Sequence, residues 1–301
     1  MSTVAAAEPR ISWQGIAHLG VVYLVWSSTY LAIRVAVRPG AGFPPFALAA
    51  MRCLLGFPVL LVWARVRGLR IRPTLPELRL LAISGVLLWT FGNAFVAVAE
   101  QRIDSALAAI LIASTPIWVA LLESVVDRRF PPKPLLAALL IGFVGTGLVG
   151  YPALRGGVRA DAVAVALALI ASLAWGGGSL LQRRRPIALD SMVSAAYQML
   201  AGGLGVLAMS FGFGEPLPSP NLSAWLGFAF LLVFGSIIAF TSFLKALHLL
   251  PTRLVFTYGY VNPVIATFLG WTLLGERISR ESLLGAALVL VGVAGAFRAK
   301  R

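Results

Sequence analysis

The sequence predicts an all-α integral membrane protein of ten transmembrane helices, arranged as two five-helix repeats of opposite orientation. Three observations lead there. Apolar stretches of about 20 residues, the length that crosses a bilayer as a helix, recur along all 301 residues with only short polar connections between them. Lys and Arg collect in alternate connections. The second half of the chain echoes the first at an offset of about 147 residues.

Composition sets the solvent. Hydrophobic residues make up 59% of the chain and charged residues 12%, whereas a soluble domain carries about twice that share of charge. The spacing of the apolar runs places helices near 15–35, 44–64, 78–99, 104–124 and 134–152, then near 162–181, 192–213, 223–245, 252–274 and 280–297. Glu8 and Arg10 precede a first run too long for a signal-peptide core and without a small-residue cleavage site after it, so it reads as a retained helix. Cys53 is the single cysteine and lies in an apolar run. No internal disulfide can form, and no metal site is expected.

The net charge of +14 is distributed by topology. A nucleic-acid binder would gather its cations on one soluble face with aromatics among them. Here they fall between apolar runs. With the N-terminus inside, the cytoplasmic connections hold Arg10, Arg65, Arg67, Arg70, Arg72, Arg79, Arg128, Arg129, Lys133, Arg183, Arg184, Arg185, Lys245, Arg253, Arg298, Lys300 and Arg301, which is 17 of the 25 cations. The opposite connections hold seven: Arg34, Arg38, Arg102, Arg155, Arg159, Arg277 and Arg280. The positive-inside rule then puts both termini in the cytoplasm, with the basic connections facing anionic lipid and no nucleic-acid partner. Arg52 remains, inside the second helix.

The repeat divides the chain into residues 1–152 and 153–301. Trp26 falls on Trp175 and Arg34 on Arg183, Arg52 meets Gln198, Gly56 meets Gly202, and Pro116 falls on Pro263. Five helices are an odd number, so the second copy enters the membrane from the other side. Inverted repeats of this kind hold a solute near the midplane, where the halves meet.

The polar and aromatic residues at that depth are the candidate solute-binding set. Trp26, Ser28, Thr29 and Tyr30 interrupt the aliphatic first helix; the hydroxyls can equally bond within their own helix, and the aromatics can stack on a solute. Trp89 and Asn93 stand one turn apart in the third helix. Arg52 has to find a partner, because a cation at mid-membrane costs at least about 2.5–3.5 kcal/mol. That partner is either a structural acceptor or the carboxylate of a solute. Pro116 and Pro263 fall inside helices, where each frees a carbonyl, and paired breaks of this type point to a transporter site. Thr115 precedes the first break; Tyr258, Tyr260 and Asn262 precede the second, and Trp175 completes the set. Gly142, Gly145, Gly147 and Gly150, with Gly285, Gly292 and Gly295, form small-residue faces for packing within the chain or between the copies of a homodimer.

No nucleophile elbow, HExxH or phosphate-cradling loop is present, and His18 and His248 lack partners at metal spacing. The sequence therefore reads as neither an enzyme nor an ATP-driven pump, with no cofactor. Of the eleven acidic residues, Glu100 comes nearest to the candidate set, and none falls at mid-membrane.

The runs WSSTYLAIR (26–34) and GNAFVAVAE (92–100), and above all YGYVNPVIATFLGWTLLGERIS (258–279), resemble the drug/metabolite transporter superfamily in its ten-helix EamA-type branch. Both halves resemble it separately. Gly275-Glu276-Arg277 keeps the pattern of that branch, whereas the first half reads Asp127-Arg128-Arg129. The resemblance implies a bacterial inner-membrane carrier, often an exporter of amino acids or other small metabolites. A multidrug efflux carrier, or a lipid-scrambling or scaffolding protein that transports no solute, are the alternatives.

Overall fold

The computed structural model describes residues 12–38, 40–99, 101–103, 105–155, 161–274 and 278–299, with the backbone alone at 30, 31, 34, 105, 106, 153, 270, 273 and 274. The described residues are helical, without strands. The first half comprises α1 (Trp13–Val37), α2 (Pro45–Val66), α3 (Leu75–Gly85), α4 (Ala94–Ala99), α5 (Ser105–Ile112), α6 (Thr115–Asp127) and α7 (Lys133–Leu154). The second comprises α8 (Ala162–Arg184), α9 (Ser191–Gly212), α10 (Leu222–Phe230), α11 (Phe240–Leu249), α12 (Thr252–Val255), α13 (Tyr258–Leu274) and α14 (Arg280–Arg298). Among the described residues, eight helical stretches are long and apolar enough to cross a membrane.

Two features depart from regular helices. The π-helical segments Val86–Asn93 and Leu231–Ala239 join α3 to α4 and α10 to α11 without interrupting either rod. They lie about 146 residues apart, the offset at which the chain echoes itself. The other departure corrects the expectation for the prolines. The helix breaks fall before each proline, at 113–114 between α5 and α6 and at 256–257 between α12 and α13. Pro116 occupies the first turn of α6, where a missing N–H costs nothing. Pro263 sits in the second turn of α13.

Helix starts are capped by local side chains. Asp161 accepts from Val163 N at 2.8 Å, Asp190 from Met192 N at 2.8 Å, Asn221 from Ala224 N at 2.9 Å and Ser279 from Ser282 N at 3.0 Å. The bonds from the α8 backbone, that of Ala164 first, hold the Asp161 carboxyl below its ordinary range. α2 opens with Pro44 and Pro45, neither of which can cap. Glu215, in the connection after α9, takes that role: its carboxylate accepts from Phe46 N at 2.9 Å and Ala47 N at 2.8 Å, and is held by Ser210.

The halves interleave. α1 packs on α10, α11 and α13, and α2 packs along α9. The tightest pair is α7 with α14, whose glycine faces meet: an added Cβ at Gly292 would lie 2.6 Å from Gly142 N, and one at Gly145 would lie 2.8 Å from Gly285 O. Gly142, Gly145, Gly285, Gly292 and Gly295 therefore meet atoms of this chain, whereas Gly147 faces open space. The outward faces of these helices carry Leu140, Val144, Leu284 and Val291, all exposed. Gly292→Val should lower the stability of the purified protein by about 1–3 kcal/mol through overpacking. Gly147→Val, with nothing within 4 Å of the added carbon, should leave it unchanged; thermal unfolding in detergent compares the two.

Candidate functional site

A cavity of about 120 Å³ opens among α1, α2, both π segments, α4, α5, α6, α8 and α13. It lies toward the end of the bundle where α1 finishes and α2 begins, because its lining reaches Ile33, Pro45 and Leu48 on one side and Val96 and Ala97 on the other. Helix periodicity explains which residues arrive. Trp26, Thr29 and Ile33 share one face of α1, Tyr258 and Asn262 stand one turn apart on α13, and the widened π segment carries Trp89, Gly92 and Asn93 to the same wall.

Arg52 is the one cation in the lining among the described residues and is 5% exposed. Its Nε donates to Ser236 Oγ at 3.1 Å, and its guanidinium carbon stands 5.8 Å from the centroid of the Trp89 ring, within cation–π range. Gly235 and Ser236 come from the second π segment, so the cation is held between the halves. Among the described residues no carboxylate pairs with it and none lines the cavity.

Toward the opposite end the cavity is closed by an aromatic cluster. Trp26 meets Tyr258 edge-on at 5.0 Å and Trp175 at 5.5 Å, and Phe243 packs against all three. Trp26 Nε1 donates to Gly235 O at 3.2 Å. Trp89 meets the buried Phe240 at 5.0 Å. Among the described residues, the indole N–H groups of Trp89 and Trp175 have no acceptor. Hydroxyls are turned onto backbone: Thr29 donates to Trp26 O at 2.7 Å, Thr115 to Ile112 O at 2.6 Å and Ser172 to Leu111 O at 3.2 Å. Asn262 accepts from Ser27 at 3.3 Å.

Of the residues named from sequence, Trp26, Thr29, Arg52, Trp89, Asn93, Thr115, Trp175, Tyr258 and Asn262 line this cavity. Ser28 and Tyr260 do not. Ser28 is rotated about 200° from Trp26 around α1 and bonds Val25 O at 2.8 Å within its own helix. Tyr260 is rotated equally from Tyr258, and its ring packs on Gly142, where an added Cβ would meet it at 2.8 Å. Neither proline lines the cavity. The Tyr30 side chain and Glu100 lie outside the described residues. Sequence reasoning missed Ser236, Ser172 and Gly235; a lone Ser in an aliphatic helix signals little until the partner across the interface is known.

The EamA-like transporter family model matches residues 13–151 and again 162–298. The chain belongs to the EamA-like transporter family. A relative in Escherichia coli K12, the uncharacterized inner membrane transporter YedA, is 31% identical over 277 residues, which cover 91% of this chain and 88% of YedA. The uncharacterized transporter YdfC of Bacillus subtilis is 22% identical, with 89% and 86% covered. A solved crystal structure shares the fold of this EamA-like protein, with a TM-score of 0.79 and 23% identity over 94% of this chain and 96% of its own.

Ser236→Ala should destabilise the protein by about 1.5–3 kcal/mol, because it removes a hydrogen bond to a buried cation. Ser28→Ala, whose hydroxyl serves its own helix, should change stability by a few tenths at most. Chemical unfolding in micelles measures both.

Proposed function

We propose that this EamA-like protein is an alternating-access carrier that exports small metabolites such as amino acids across the bacterial inner membrane. In this reading its ten transmembrane helices form two inverted five-helix repeats, residues 1–152 and 153–301, with both termini in the cytoplasm. The observation that carries it is a cavity built from both halves around Arg52, which has no carboxylate partner among the described residues. A buried charge in an apolar bundle is unfavourable unless compensated. A solute carboxylate entering the cavity compensates Arg52 through the paired N–H groups of its guanidinium, while Trp26, Trp89, Trp175 and Tyr258 offer faces to the rest of the solute. Asn93 and Asn262 supply amide donors and acceptors, and Thr29 and Thr115 line the space between. With the termini inside, the cavity opens outward and the aromatic cluster seals the cytoplasmic side. The exposed leucines and valines of α7 and α14 then face lipid.

Efflux of cationic drugs is the weaker reading, because the lining has a cation and, among the described residues, no carboxylate. The same lack argues against coupling to protons, which needs a buried carboxylate for which proton and solute compete. A scrambling or scaffolding role would leave the Arg52 cavity without a use.

Reconstituted in liposomes and offered labelled amino acids and monocarboxylates, the protein should catalyse counterflow while the membrane stays sealed to lipid exchange. Lipid movement without solute passage would overturn the proposal. Arg52→Gln should fold, since Gln198 occupies the corresponding place, and should reduce uptake of acidic and zwitterionic solutes about tenfold or more; an unfolded variant would assign Arg52 a structural role. Counterflow should persist without an imposed pH gradient. Accumulation that requires the gradient and is abolished by Glu100→Gln or Glu123→Gln would reverse that expectation.

A further inference from the structure

The offset that relates the halves makes the cavity informative about the opposite end of the bundle. Trp26 falls on Trp175 and Arg34 on Arg183, so Thr29 and Ile33 fall on Gly178 and Gln182. Arg52 falls on Gln198, so Leu48 falls on Ser194. Thr29, Ile33, Leu48 and Arg52 all line the cavity. Their four counterparts also come together, but in a closed seam.

Gln182, Ser194 and Gln198 are each 0% exposed, as is Ser84 of α3, which joins them. Gln198 Nε2 donates to Ser84 Oγ at 2.8 Å and to Gln182 Oε1. Ser84 Oγ in turn donates to Leu80 O at 2.8 Å. Among the described residues, Gln182 Nε2, Gln198 Oε1 and Ser194 Oγ have no partner. Gly178 closes the seam: an added Cβ there would lie 3.0 Å from Leu87 and Leu88 and 3.1 Å from Ser84 O. The seam lies near the end of α8 and the start of α9, at the end of the bundle away from the cavity. Arg52 in α2 bonds into the second π segment; Gln198 in α9 bonds to the residue two before the first. The two arrangements are related as the halves are.

Buried polar atoms are ordinarily satisfied, and a polar seam built only to hold a bundle together would leave none of them open. Three unmet groups at positions equivalent to a solvent-reaching cavity have a direct explanation: another conformation hydrates them. We propose that Gln182, Ser194 and Gln198, with Ser84, line a second solute vestibule, closed in this structure, which opens toward the cytoplasm when the Arg52 cavity closes. Its chemistry differs from that of the first. A guanidinium is replaced by neutral amides, so a carboxylate solute is handled by hydrogen bonds alone on this side and is bound less tightly there. The inference rests on the alternating-access reading and names the side chains that reading requires.

Cysteine accessibility in membrane vesicles tests it. Ser194→Cys and, separately, Ser84→Cys replace a hydroxyl with a thiol of similar size. Wild-type protein, whose only thiol is the fully buried Cys53, sets the blank. A membrane-impermeant maleimide should modify both variants at least tenfold faster than the blank in inside-out vesicles, and no faster than the blank in right-side-out vesicles. Rates equal to the blank in both orientations, or equal from the two sides, would overturn the vestibule. Counterflow of the labelled amino acids and monocarboxylates in the same preparations reports on the carrier separately. Loss of counterflow with one-sided labelling intact would remove the carrier reading and keep the vestibule, whereas counterflow without labelling would do the reverse.

Discussion

Backbone hydrogen bonding has to be completed within each helix wherever water is absent, and the irregularities of this fold follow from that demand. In hydrocarbon an open N–H or C=O is expensive, so irregular backbone survives only where protein or a cavity surrounds it. The π segments and the break between α5 and α6 meet this condition: Trp89, Gly92 and Asn93 lie on one π segment, Gly235 on the other, and Thr115 directly after the break, all in the cavity wall. The break between α12 and α13 is followed by Tyr258, in the same wall. The regular helices form the frame. The site joins side chains of that frame, Arg52, Trp26 and Trp175 among them, to the places where regularity lapses.

Arg52 shows how such a site keeps a charge. A cation in an apolar bundle is retained through partial compensation: one hydroxyl, one aromatic face, and access to the cavity. Full pairing with a resident carboxylate would leave little reason for an anionic solute to bind, and no compensation at all would cost stability. Because Ser236 belongs to the second half and Trp89 to the first, any relative movement of the halves changes the surroundings of the guanidinium.

Much of this was legible in the sequence. Apolar runs gave the helices to within a few residues, since hydrocarbon thickness fixes their length, and Trp26, Trp89, Asn93, Trp175, Tyr258 and Asn262 converge on one cavity. Rotation around a helix was the harder quantity. Ser28 and Tyr260 were grouped with Trp26 and Tyr258 because they are close in sequence and depth, yet two positions along a helix turn a side chain almost to the opposite face. The π segments left no pattern in composition, so the alignment of Gly235 and Ser236 with Arg52 was invisible, and prolines were read as the sites of breaks that fall two to seven residues before them. The glycine faces of α7 and α14 were recognised as packing surfaces, but nothing local distinguishes a partner helix in the same chain from one in another copy.

The cap on α2 has a bearing on how the molecule is made. The two prolines that open this helix offer no side-chain acceptor, and the carboxylate that completes it belongs to Glu215, about 170 residues later in synthesis. Backbone bonds from Ser219 to Gly42 and from Asn221 to Ala41 tie the same two connections together. While the first repeat is emerging from the ribosome, therefore, α2 enters the membrane with its leading amides unsatisfied by protein. Those amides receive their side-chain acceptor only when the later connection has been brought to the same end of the bundle, so the packing of the second half is completed at the start of a helix in the first.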